Sequence, residues 1–238
     1  MKGLALTLTV TRRLAICGLV TVATVPPVAV RAGALARSEP SMAMTPAALR
    51  FPAGSRVEPL SDNLWLHGLP LQAVMFDAPV DVPELIRTLA RQQPGLRDLT
   101  VLAGMAILSG RVGGAYWVAL LTSPAAGRSV GSVSALQAAD RRDAPRPAWL
   151  PPPVRLRFDL LSVEAGVRVS ERIWQHVLPP ARLAPILRQG LQRQGWHDAG
   201  QAADAGAWQS WRRRGEQLDW LLTPLDGGSG LWIRRREP

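Results

Sequence analysis

The sequence predicts an α+β fold built as a tandem duplication, each half an antiparallel β-meander with one amphipathic helix packed on a sheet face. Three observations predict it. First, residues 107–122, ILSGRVGGAYWVALLT, align without a gap on residues 208–223, WQSWRRRGEQLDWLLT, at an offset of 101. Six of the sixteen positions are identical: Ser109/Ser210, Arg111/Arg212, Gly114/Gly215, Leu120/Leu221, Leu121/Leu222 and Thr122/Thr223. Average composition gives roughly one. Second, Pro83, Leu85, Leu89, Arg91 and Gln92 align on Pro185, Leu187, Leu191, Arg193 and Gln194 at an offset of 102, a one-residue change of the kind a loop insertion produces. Third, a stretch of proline and charge, DRRDAPRPAWLPPP (140–153), lies between the copies, where a duplication places a boundary. The halves then form two domains or one pseudo-symmetric unit. Convergence on the same hairpin chemistry is the competing explanation.

The elements follow in chain order. Residues 1–36 read as a signal segment, cleaved or retained as an anchor, and 37–58 as a flexible lead-in without periodicity. The first repeat covers 59–139. Leu64–Leu66 and Leu71–Phe76 are short strands around His67-Gly68-Leu69-Pro70. Asp81-Val82-Pro83-Glu84 starts a helix, with Asp81 as cap, and Leu85, Ile86, Leu89 and Ala90 form its apolar face until Pro94-Gly95 ends it. Leu99–Leu108 is expected as one buried strand, and Ser129–Leu136 as the last strand. The second repeat covers 154–238. Val154–Leu160 alternates Val, Leu, Phe and Leu against Arg155, Arg157 and Asp159, and Val167–Val177 returns. A helix over 183–194 presents Leu183, Leu187 and Leu191 on one face and stops at Gly195. In the repeated hairpins Trp117, Ala119 and Leu121 share a face, as do Leu218, Trp220 and Leu222, and 231–236 closes the chain.

Composition bounds the compartment. Lys2, Arg12 and Arg13 precede an apolar run, Leu14–Val25, that is short for a bilayer span, and Ala34-Leu35-Ala36 is the best-placed cleavage pattern. Thr11-Arg12-Arg13-Leu14 allows twin-arginine export beside general secretion. Ile16 is too large for the position before a lipoprotein cysteine, so Cys17 is not a lipid anchor. Cleavage after Ala36 removes Lys2, Arg12, Arg13 and Arg31, leaving 24 arginines against 18 acids, a charge of +6, with neither cysteine nor lysine. An export segment on a chain without disulfides points to the bacterial periplasm, with membrane association through the N-terminal segment if it is retained.

No constellation for catalysis stands out. His67, His176 and His197 have no metal-ligand spacing, and phosphate-loop, dinucleotide and nucleophile-elbow patterns are missing, so neither metal nor cofactor is expected. A hydrolase using His197 and Asp198, or His176, is the weakest of three readings. The strongest is a non-catalytic envelope protein that serves as an interaction or assembly scaffold. Its contact residues are Arg212, Arg213, Arg214, Arg234, Arg235 and Arg236 with Trp208, Trp211 and Trp232, a basic face with aromatic platforms near Trp220. The partner is an envelope protein, or an anionic polymer or lipid head group; export argues against nucleic acid. A glycan- or lipid-binding module using the same Trp/Arg face is the alternative.

Overall fold

The computed structural model describes residues 44–138, 144–200 and 207–238. The expected signal segment 1–36, residues 37–43 of the lead-in and residues 140–143 of the proline-rich stretch lie outside them.

The fold class expected from the sequence is overturned. Among the described residues strands make up 55% and helices 15%, with two helices and one 13-stranded sheet, so this is a predominantly antiparallel β fold and not an α+β tandem duplication. In hydrogen-bonded order the strands are His197–Asp198, Gln209–Arg213, Glu216–Leu225, Gly228–Glu237, Val167–His176, Val154–Glu164, Asn63–Leu66, Leu69–Ala78, Arg128–Leu136, Ala115–Ala125, Met105–Val112 and Leu96–Leu102, with Arg56–Pro59 paired to Leu69–Ala78. The chain also divides into two compact units that are not contiguous halves: residues 1–60 with 72–138, and residues 61–71 with 139–238. Local hairpin chemistry accounts for the matching Gly114 and Gly215. The turns at Gly113-Gly114 and Arg214-Gly215 each join two strands through two residues, all four at positive φ, the geometry whose twist suits an antiparallel pair.

In the first unit, β1 (Arg56–Pro59), most of β3 (Leu69–Ala78), α1 (Val82–Gln92), β4 (Leu96–Leu102), β5 (Met105–Val112), β6 (Ala115–Ala125) and β7 (Arg128–Leu136) follow one another. Leu85 and Leu89 of α1 are fully buried with Trp117, Ala119, Leu121, Val133 and Ala135, as the helical and strand periodicities require. Three readings change here. The Asp81 carboxylate does not cap its own helix; it accepts the amide of Gly127, 2.7 Å away, in the turn between β6 and β7. The stretch 99–108 is two strands, broken at Ala103-Gly104 where Gly104 takes φ 76°. Residues 44–58 are tied down: β1 pairs with β3, and Arg50 and the Gln92 side-chain amide exchange hydrogen bonds of 2.8 and 2.7 Å.

The second unit holds β2 (Asn63–Leu66), β8 (Val154–Glu164), β9 (Val167–His176), α2 (Pro180–Arg193), β10 (His197–Asp198), β11 (Gln209–Arg213), β12 (Glu216–Leu225) and β13 (Gly228–Glu237). Leu183, Leu187 and Leu191 are buried among Trp149, Trp174, Trp196, Trp211 and Trp220. The helix ends at Gly195, whose φ is 77°. The Gly195 amide donates to the Gln192 carbonyl and the Trp196 amide to the Leu191 carbonyl, the paired bonds that close a helix through a left-handed glycine. The clean alternation expected in β8 fails at Arg157. The pairing with β9 shifts between Leu156 and Phe158, and Asp159 becomes buried, because a bulge exchanges the faces of everything after it.

Candidate functional site

The Arg/Trp cluster lies on β11, β12 and β13, and alternation divides its members between two faces. Trp211, Arg213, Ile233 and Arg235 point to the side of α2. Trp208, Arg212, Trp232, Arg234 and Arg236 point to the other. Trp211, expected at a contact surface, is 1% exposed in the core beneath α2, opposite Leu218, and cannot meet a partner there.

On the helix side the arginines are internal struts. Arg213 and Arg235 converge on Glu216, at 3.3 and 2.7 Å, and Arg235 also reaches Glu237 at 2.9 Å. Arg213 stacks 4.6 Å from the Trp196 ring centroid and donates to the Gln194 carbonyl at the helix end, a favourable place for a cation. Burial raises the Glu216 carboxyl, but hydrogen bonds and charge from Arg235 and Arg213 outweigh it and hold the group below its ordinary 4.5.

On the opposite side Arg234 is also committed. It faces Glu171 directly across the β13–β9 ladder and pairs with it at 2.6 Å, both groups largely buried. Its guanidinium lies 5.9 Å from the Trp208 ring, and Trp208 meets Trp232 edge-on at 5.4 Å. These rings are occupied by each other and by Arg234, so no free aromatic platform remains between them.

Three arginines are left: Arg212, Arg214 and Arg236 have neither an ion pair nor a side-chain hydrogen bond among the described residues. Arg214 occupies the hairpin turn at φ 45°. The other two share a register. His197 on β10 faces Arg212 on β11, Arg212 faces Gln217 on β12, and Gln217 faces Arg236 on β13. Opposed residues project from the same face, and strands lie about 4.8 Å apart, so the row spans about 14 Å. Gln217 turns its amide to Asp219, which also accepts the Ser210 hydroxyl at 2.7 Å. That carboxylate is therefore held within the sheet beside the row. The result is a strip of two uncommitted guanidiniums and an exposed imidazole, suited to carboxylate or phosphate groups spaced along an extended ligand. The sequence names Arg212 and Arg236 as contact residues but not the row they share, because the register that assembles it depends on pairings with β10 and β13.

The hydrolase residues do not assemble. His197 and Asp198 are consecutive on a strand and point to opposite faces, and the Asp198 carboxylate accepts the Gly200 amide at 2.9 Å. His176 is on β9, four strands from β10 in the sheet order, or about 19 Å. Its Nδ1 accepts the Leu178 amide at 2.9 Å. Among the described residues no group of three or more His, Cys, Asp or Glu side chains is placed to hold a metal ion. Comparison with protein-family models, with curated proteins and with solved structures gave no match.

Proposed function

We propose that this chain is a non-catalytic component of the bacterial envelope that binds an acidic segment of another envelope protein along the row His197, Arg212, Gln217 and Arg236. One observation carries the reading. Arg213 and Arg235 share the Glu216 carboxylate and Arg234 pairs with Glu171, whereas Arg212 and Arg236, in register two strands apart, have no carboxylate partner among the described residues. A guanidinium without an internal partner keeps its five donors for a ligand. The basic start, apolar run and small-residue pattern of residues 1–36 support export, and a net positive chain favours encounter with acidic partners.

The test is capture of partners from a native envelope extract. Arg212→Gln with Arg236→Gln abolishes capture and leaves the melting temperature almost unchanged, since substitutions of uncommitted surface residues stay within about 0.5 kcal/mol. Retained capture rejects the assignment. Capture by the unsubstituted chain weakens with added salt, because exposed charges are screened within about 10 Å at 0.1 M. Anionic vesicles and cell-wall fragments run in parallel: saturable binding to either, lost in the double variant, moves the site to the lipid or glycan alternative.

A further inference from the structure

The sheet ends differently at its two edges. At one, β10 is two residues long and carries His197 and Asp198, the short, polar edge by which proteins discourage strand addition. At the other, β4 is seven residues long and pairs only with β5 among the described residues. Past Leu96 every residue of β4 is exposed; Leu99 is 50% exposed and Val101 72%. Residues 98–102 contain no proline, no lysine and a single charge, Asp98. The pairing with β5 shifts between Leu96 and Asp98, so the irregularity at Arg97 confines the open ladder to Asp98–Leu102.

We propose that this edge associates with a second copy of the chain, β4 against β4, antiparallel about Thr100. Strand geometry selects the register. A two-fold axis normal to the sheet keeps each residue on its own face, so opposed positions must sum to an even number. Centring on Thr100 opposes Leu99 to Val101 twice and Asp98 to Leu102 twice, and brings no like charges together. Centring on Leu99 opposes Arg97 to Val101 and leaves one apolar pair. Leu99 and Val101 lie across from Leu108 and Ala106 on β5, and both of those belong to the buried core of the first unit. The Thr100 register therefore carries that apolar face from one copy into the next and satisfies the outward backbone groups of β4. Five residues a side is a small contact beside a standard interface of about 1,600 Å², which makes the dimer weak and concentration-dependent.

Sedimentation velocity of the purified chain over a dilution series tests this. The chain shifts from monomer to dimer with concentration. Leu99→Lys alone and Val101→Asp alone each raise the dissociation constant by about tenfold or more, with the far-UV spectrum and melting temperature retained. The double variant Leu99→Lys/Val101→Asp places opposite charges against each other twice in the Thr100 register and restores association. A chain that stays monomeric at every concentration overturns the proposal. So does association that both single variants leave intact, and so does a double variant no better than the singles, which would place the contact elsewhere or in another register.

Discussion

Gly190 reverses the usual sign of a helix substitution. Glycine inside a helix normally costs about 1 kcal/mol against alanine. In α2, however, a Cβ at this position would stand 2.7 Å from the Trp149 carbonyl oxygen and 3.2 Å from its Cβ. Gly190→Ala is expected to lower stability by about 1–3 kcal/mol, the range for overpacking a tight contact, measurable in a urea titration of the second unit. His176 supplies a pH dependence. Burial pushes its imidazole below the ordinary 6.5, against a smaller upward pull from the Pro151 carbonyl. The unfolded chain therefore takes a proton as pH falls through 6.5 while the folded chain does not. Stability is complete above that value and declines below it towards the folded pKa. His176→Gln flattens the difference between urea midpoints at neutral and mildly acidic pH; an unchanged difference assigns it to other groups. The sequence placed Asp81 correctly at a helix start yet misassigned its bond, because the competing donor, the Gly127 amide, is forty-six residues away and no local pattern announces it.

At the scale of elements, helices and turns were the legible part. Leucines four apart marked the buried stripe of α2, and Leu187→Ala is expected to cost about 2–5 kcal/mol, since Leu187 is fully buried in the core. Glycine at turns was equally readable, as positive φ at Gly113-Gly114 and Gly195 bears out. Long apolar runs were not. Residues 99–108 carry no punctuation except Ala103-Gly104, and one buried strand and a two-strand hairpin share that pattern. The bulge at Arg157 was illegible for a related reason: alternation in VRLRFDL fits an ideal strand, and only pairing with β9 reveals where the ladder slips. Arg212 and Arg234 were indistinguishable in the sequence; the partner strand decides that one faces Gln217 and the other Glu171. Arg234→Gln consequently differs from Arg236→Gln. It leaves a largely buried carboxylate unpaired, with Glu171 Oε2 already lacking a partner among the described residues, and is expected to cost about 3 kcal/mol, against almost nothing for Arg236. Thermal melts of the two variants side by side check this.

At the scale of the whole molecule, strands outweigh helices by 55% to 15% among the described residues, and two convincing helix signatures, both real, did not disclose that balance. Tryptophan is distributed unevenly. Eight of the nine lie in the second unit, and Trp117 alone belongs to the first. The protein thus has a built-in optical label. Indole emission follows the loss of the second unit almost exclusively, while backbone dichroism counts both. Heating a Trp117→Phe variant should leave the emission curve essentially unaltered, and any gap between that curve and the dichroic one measures how independently the two units come apart.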